Sequence, residues 1–202
     1  MARQIIVTGF RAFPGVEDNP SQRVVERLER APRLLPHGSA IRLLDVTYAS
    51  VDAALDEIFR TSPAVLVLTG FSREARGLTL ETRVTTAFAP DRPDCDGAIP
   101  SCPSGGVRQR DNDAVDFALL ETALTQAGLA CSRSADAGAY LCNFIYRRAL
   151  EQIEERGIAA RAIFVHLPAI AGTPLALESR ASMDLEEMAR GVALVARQLA
   201  GD

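Results

Sequence analysis

Two short apolar runs without a polar interruption, residues 64–68 and 162–165, restrict the fold more than any other feature of this chain. A strand with one solvated face alternates apolar and polar side chains. A run without alternation fits a strand covered on both faces, as in a parallel sheet held between two layers of helices. Elsewhere the periodicity is helical. Val51, Ala54, Leu55 and Ile58 form one stripe, Phe117, Leu120 and Leu124 a second, and Ile145, Ala149, Leu150 and Ile153 a third, with Gly157 where a helix should close. Strands alternating with helices predict an α/β fold of three layers: a mixed, mostly parallel central sheet with helices on both faces. No internal repeat or linker divides residues 1–202, so one domain is expected.

Further strands are expected at 4–7, 41–48, 78–88 and 130–134. Asn19 before Pro20 marks a helix start, a capping side chain followed by a proline at the first helical position, and this helix is expected over 21–34. Ser50 is expected to cap the second helix, and a loose capping box at Ser182 the last one, over 183–199. Residues 89–112 hold four prolines with several glycines and aspartates, and read as a long loop or flexible flap. The stretch 8–15 lacks both the dinucleotide glycine spacing and the Gly-Lys-Ser/Thr ending of a phosphate loop, which disfavours phosphate binding.

Composition narrows the function. The 202 residues are 48% hydrophobic and 24% charged, with a net charge of −4, which offers no basic field for nucleic acid or an acidic membrane surface. No apolar segment is long enough to span a bilayer, and the one after Arg3 reaches only Val7, too short for a signal peptide. A cytoplasmic protein is expected, with Cys95, Cys102, Cys131 and Cys142 as thiols. Cys95 and Cys102 flank a Gly- and Pro-containing loop and could meet, a point the sequence leaves open. Two histidines and no C-x-x-C pair make a zinc site hard to build, so no metal is expected.

The candidate chemistry centres on Cys142. The run Asp136-Ala-Gly-Ala-Tyr-Leu-Cys142-Asn143 reads as a turn delivering a cysteine to the first turn of a helix. Unpaired N–H groups and the helix dipole there favour a thiolate, and the same N–H groups can hold an oxyanion. Packing in the core is the alternative for such a residue. His37 sits in a turn-like stretch, Leu-Pro-His-Gly-Ser. His166 ends the run 162–165 just before Pro168, at the carboxyl edge where open α/β sheets place ligands. A cysteine–histidine pair here therefore means Cys142 with His166. A third group commonly orients the imidazole, and Glu81, read as lying at a strand start in Leu78-Thr79-Leu80-Glu81, is the natural candidate. Taken alone, it would pass for a solvated surface charge.

Three blocks together carry a resemblance: Thr8-Gly9-Phe10 with Phe13-Pro14-Gly15 and Asn19-Pro20-Ser21; Leu78-Thr79-Leu80-Glu81; and the cysteine run with Phe164-Val165-His166-Leu167-Pro168. In order and spacing they resemble the pyroglutamyl peptidase I family, also called pyrrolidone-carboxylate peptidases. The resemblance implies a cysteine exopeptidase that removes an N-terminal pyroglutamyl residue from peptides through a thioester, needs no cofactor, and assembles as a homo-oligomer, dimer or tetramer. By the same matching, Cys142 is the nucleophile, His166 the general base and then acid, and Glu81 its orienter. Phe10 and Phe13 match the aromatic residues that enclose the lactam ring, and Asn19 a residue supporting its hydrogen bonds. Tyr140 and Leu141 match positions lining the pocket. The chain departs from the family's pattern where Phe71 matches a glutamine that contacts the lactam, Thr86 an asparagine, and Asp91, with Arg92 beside it, an arginine. Those departures prompt another reading, an amidase or acyl-transfer enzyme acting on a different small cyclic or N-blocked substrate. A catalytically silent pyroglutamyl-binding homologue is a third.

Overall fold

A computed structural model describes residues 4–100 and 106–201. The first strand, β1 (Ile5–Phe10), is buried throughout and runs beyond the expected end at Val7. Gly9 permits this, because a Cβ there would lie 2.5 Å from the Ser21 carbonyl oxygen of the helix packed above. That helix, α1 (Pro20–Arg30), starts as expected, with the Asn19 side chain accepting from the Ser21 N–H at 3.0 Å. It stops earlier than expected. Proline disfavours helical backbone in the residue before it, and Pro32 opens a short 3₁₀ turn, Pro32–Leu34. Next come β2 (Ala40–Leu44) and α2 (Tyr48–Arg60). Thr47, not Ser50, caps α2 by accepting from the Ser50 N–H at 3.2 Å.

After β3 (Val65–Phe71), the expected strand over 78–88 is two: β4 (Leu78–Glu81) and β5 (Arg83–Thr85). The break is Thr82, whose N–H and hydroxyl both turn to the Ser134 carbonyl. Nor is 89–112 simply a loop. Its end forms β6 (Gln109–Asp111), antiparallel to β5, and Asp94 ties down its start by accepting from the N–H groups of Tyr48, Asp96 and Ala98. The chain continues through α3 (Phe117–Gln126), β7 (Cys131–Ser134), α4 (Leu141–Glu155) and β8 (Arg161–Leu167). It ends with β9 (Ala169–Ile170), α5 (Pro174–Leu177), β10 (Ser182–Met183) and α6 (Leu185–Ala200). Ser182 is a strand residue, and Asp184 caps α6 instead.

The main sheet has the order β2-β1-β3-β8-β4-β7, and every neighbouring pair is parallel except β4 with β8. It is an α/β fold with a mostly parallel sheet, as expected. Period-2 alternation sorts its side chains between two cores. Val65, Val67, Ile163 and Val165 pack with α1, α3 and α6, whereas Leu66, Leu68, Ala162 and Phe164 pack with α2 and α4. Each large aliphatic side chain so buried contributes about 1.5–3 kcal/mol. Helices on both faces leave β3 and β8 no wet side, which is why their sequences do not alternate. Among the described residues, no helix is long and apolar enough to cross a membrane.

Candidate active site

Parity within β8 decides which way His166 looks. It follows Ala162 and Phe164 on the α4 face, beyond the last apolar residue of that row. β4 pairs antiparallel with β8, which sets Thr79 opposite His166 and Glu81 opposite Phe164. Glu81 is the last residue of β4, not near its start. From there its carboxylate reaches diagonally along the shared face, and Oε1 lies 2.8 Å from His166 Nδ1. A carboxylate only accepts, so Nδ1 carries the proton and Nε2 remains for the neighbour on the other side. That neighbour is Cys142, which acts electrostatically on the imidazole. Both members of the Glu81–His166 pair are buried, at 1% and 8% exposure. Burial disfavours a charged imidazole, but Cys142 and Glu81 together outweigh it and raise the pKa of His166 to about 10.

Cys142 is the second residue of α4. Gly138, at φ 80, and the bond from its N–H to Asp136 Oδ1 make the turn that leads in. Tyr140 is the N-cap, in extended backbone and without a side-chain cap, and the Phe144 N–H is the one that reaches its carbonyl. The N–H groups of Leu141, Cys142 and Asn143 therefore lack an acceptor inside the helix, in the turn that carries the sulfur. Beneath the sulfur lies Gly70, beside His166 on β3. A Cβ on Gly70 would stand 2.9 Å from Cys142 Sγ and 2.7 Å from Phe164 Cζ, so only glycine lets the thiol sit this low.

Several polar residues of this region escaped the sequence reading. Asn143 grips the backbone of Thr85 from both sides, Oδ1 accepting from its N–H at 2.8 Å and Nδ2 donating to its carbonyl at 2.7 Å. Tyr146 donates to the Glu81 carbonyl, and Asn112 donates to Tyr146. Asn143 adjoins the cysteine and Tyr146 follows it by one helical turn, so their spacing offered a clue. Asn112 offered none, lying in what read as a loop.

Cys142, His166 and Glu81 border a cavity of about 1070 Å³, and so do Phe10, Phe13, Asn19, Phe71, Tyr140 and Leu141. The nine residues singled out from sequence thus meet in one place, but not with equal exposure. Phe10 and Leu141 are almost wholly buried, at 4% and 1%, while Phe13, Phe71 and Tyr140 are half-buried. Asn19 is fully engaged: Oδ1 accepts from the backbone and side chain of Ser21, and Nδ2 donates to the Arg11 carbonyl at 2.9 Å. It shapes the loop that carries Phe13. Arg92 also borders the cavity, its guanidinium 4.2 Å above the Tyr140 ring, whereas Asp91 and Thr86 do not line it. Cys95, Cys131 and Cys142 are free thiols; Cys102 lies outside the described residues, and a Cys95–Cys102 bridge with it. Among the described residues, no group of three His, Cys, Asp or Glu could hold a metal ion.

A family model described as pyroglutamyl peptidase matches residues 3–200. The pyrrolidone-carboxylate peptidase of Thermococcus kodakarensis is 28% identical over 203 residues, covering 98% of this chain and 97% of its own. That of Thermococcus onnurineus is 30% identical over 199 residues, covering 95% and 96%. Among solved structures, the pyrrolidone carboxyl peptidase of Fervidobacterium islandicum superposes with a TM-score of 0.85 at 28% identity, over 97% of this chain and 98% of that one. Pyroglutamyl peptidase I of Bacillus amyloliquefaciens shares the fold, with a TM-score of 0.87 at 22% identity over 99% and 98%. With the cysteine, histidine and glutamate gathered in one cavity and the match running almost from end to end, the chain belongs to the pyroglutamyl peptidase family of cysteine peptidases.

Proposed function

We propose that this protein hydrolyses the amide bond after an N-terminal pyroglutamyl residue, with Cys142 as nucleophile, His166 as general base and acid, and Glu81 as orienter of His166. The observation that carries the reading is the cavity in which those three side chains meet Phe10 and Phe13. The pyroglutamyl ring is flat and uncharged, so an aromatic wall can admit it. An ordinary N-terminal ammonium would lose hydration there without replacement. Thr79, Ser132 and Ser134, with the charged Arg73, Arg76, Arg133 and Asp136, also border the cavity and offer polar partners to the peptide that follows.

The chemistry follows from the geometry. With its proton on His166, the Cys142 sulfur attacks the pyroglutamyl carbonyl carbon, and the resulting oxyanion is held by N–H groups of the first turn of α4. One such donor can be worth about 10²–10³ in rate. His166 gives its Nε2 proton to the departing amine, the C–N bond breaks, and a thioester remains. Water then attacks the thioester carbonyl as His166 takes its proton, and the C–S bond breaks to release pyroglutamate. Throughout, Glu81 keeps Nδ1 protonated and the ring aimed. A nucleophilic thiol and the free thiols of Cys95 and Cys131 suit a reducing cytoplasm. Exposed Val107 and Leu177, at 61% and 90%, suit a homo-oligomer, dimer or tetramer, which light scattering would size.

The test is turnover of a pyroglutamyl fluorogenic amide under reducing conditions. Cys142→Ser is expected to lose about 10³-fold or more while keeping its fold by circular dichroism. Faster turnover of a different aminoacyl amide would replace the reading with another acyl-transfer activity. Pyroglutamate binding without turnover would make the chain a silent homologue.

A further inference from the structure

Glu81 has an unusual weakness for a residue that must aim another. Its carboxylate is buried, yet one hydrogen bond, Oε1 to His166 Nδ1, is the only one it makes, and Oε2 has no hydrogen-bond partner among the described residues. The side chain is not fixed by donors of its own, so its aim depends on the backbone of residues 81–82. That backbone is fastened from several sides. Tyr146 Oη donates to the Glu81 carbonyl at 2.9 Å, Asn112 N–H donates to the Thr82 carbonyl at 2.8 Å, and Thr82 N–H donates to the Ser134 carbonyl at 2.7 Å. Asn112 Nδ2 also donates to Tyr146 Oη at 2.6 Å and to the Ala162 carbonyl at 2.8 Å.

Donor and acceptor roles are forced along this chain. The Glu81 carbonyl can only accept, so the Tyr146 proton must point to it, and the phenol oxygen must accept from Asn112. Asn112 spends both amide hydrogens, one on Tyr146 and one on the carbonyl of Ala162, four residues before His166 on β8. Tyr146 is buried outright and follows Cys142 by one turn of α4. The network therefore joins the element bearing the nucleophile, the element bearing the histidine and the backbone bearing the carboxylate. We propose that Tyr146, held by Asn112, is a positioning residue that aims Glu81 at His166.

The charged and titratable groups acting on His166 are Cys142 from α4 and Glu81 from β4, and those acting on Tyr146 are Glu81 and Arg110. Tyr146→Phe removes one hydroxyl and leaves all of these in place. Its consequence is a looser Glu81, a less firmly held imidazolium, and a thiol that reacts less readily at neutral pH.

The proposal rests on the peptidase reading for its turnover assay, so a second readout is made independent of substrate. Alkylation of Cys142 by iodoacetamide, followed across pH by mass spectrometry of the peptide that contains it, reports the cysteine–histidine pair directly. For Tyr146→Phe, kcat on the pyroglutamyl amide should fall about ten- to a hundredfold with KM within about twofold, the scale of a misplacement near 1 Å. The alkylation profile should shift in the same variant. In a Glu81→Gln background, the added Tyr146→Phe should cost less than about twofold in kcat, because the two substitutions act through one group. Asn112→Ala should reproduce the profile shift if Tyr146→Phe proves too unstable to purify. A folded Tyr146→Phe enzyme with unchanged kcat and alkylation profile overturns the proposal, as does a full multiplicative loss in the double variant. If the wild type fails to turn over the amide, the peptidase reading falls, while the alkylation shift still decides the role of Tyr146.

Discussion

The two walls of the cavity are built by different means. The catalytic wall stands on β3, β4, β8 and the first turn of α4; Glu81 and His166 are buried, Cys142 half-buried, and Asn112, Asn143 and Tyr146 cross-link the backbone around them. The recognition wall joins Phe10 and Phe71, at the ends of β1 and β3, to the loops 11–16, 72–77 and 89–98, most of whose side chains are half-buried or exposed. Phe13 leans on Val16 and its neighbours, Arg73 pairs with Glu178 at the surface, and Arg92 lies over Tyr140. Bond-making demands that reacting atoms meet within fractions of an ångström, so its supports must be stiff. Recognition of a small ring tolerates more play. Substitutions in the first wall should therefore appear in kcat, and those in the second in KM.

The sharpest challenge to this division is Glu81→Gln. Glutamine keeps the shape but offers an amide to Nδ1, and kcat is expected to fall about 10²–10⁴-fold with KM little changed. Stability should change with pH in a defined sense. Burial opposes the charge on His166, yet Cys142 and Glu81 raise its pKa from 6.5 to about 10. The folded chain thus binds that proton more tightly than the unfolded one. The resulting stabilisation is complete below pH 6.5 and is lost as pH rises through about 10. The thermal midpoint of the wild type should therefore exceed that of Glu81→Gln most below pH 6.5, and the gap should narrow toward pH 10; a gap that widens instead would reverse the assigned sign.

Gly70→Ala probes the same wall by crowding rather than charge. The added methyl would press on the Cys142 sulfur and the Phe164 ring, and one of them must move. Overpacking costs about 1–3 kcal/mol of stability, and displacement of the sulfur should cost about ten- to a hundredfold in kcat. An unchanged kcat would mean that Phe164 yields alone. On the opposite wall, Phe13→Ala removes a half-buried ring from the proposed lactam slot. A loss of about 1.5 kcal/mol of apolar contact predicts a rise in KM of about tenfold with kcat nearly constant. If kcat fell as far as KM rose, Phe13 would belong with the catalytic wall.

The same contrast explains what could be read in the sequence. Residues on regular elements announce themselves locally. The unbroken run 162–165 needs two covered faces, Asn19-Pro20 needs a helix after it, and Cys142 sits two residues past a glycine-containing turn. The reading failed where partners distant in sequence decide. The strand expected over 78–88 divides at Thr82, whose N–H and hydroxyl both go to Ser134 on the neighbouring strand β7. Gln109–Asp111 becomes a strand because β5 lies beside it, despite the prolines upstream. Thr47 rather than Ser50 caps α2, a choice between two capping residues three apart that depends on where β2 releases the chain. Asn112 acquires a role only when α4 and β8 are brought to it. Cys142 and His166 stand out from their local sequence, whereas the choice of Glu81 and of the pocket residues drew on the family resemblance, since spacing alone could not single out Glu81 among 26 acidic residues.

Arg92→Ala should have the smallest effect, and it tests the recognition wall where it meets the N-cap residue of α4. Arg92 is exposed, its guanidinium lies 4.2 Å over the Tyr140 ring, and the next residue accepts from Tyr140 Oη through the Pro93 carbonyl at 3.1 Å. Tyr140 in turn is the N-cap of the helix that carries Cys142. Arg92 thus braces a pocket side chain from the solvent side without being buried beside the reacting atoms. An exposed cation–π contact is worth about 0.5–1 kcal/mol, so its loss should raise KM about two- to fivefold and leave kcat unchanged. Arg92→Lys, which keeps the charge but not the flat guanidinium, should recover part of that loss. A fall in kcat of tenfold or more would carry a different message. It would mean that a loop side chain reaches the developing oxyanion, and that the boundary between the two walls runs through Tyr140 rather than in front of it.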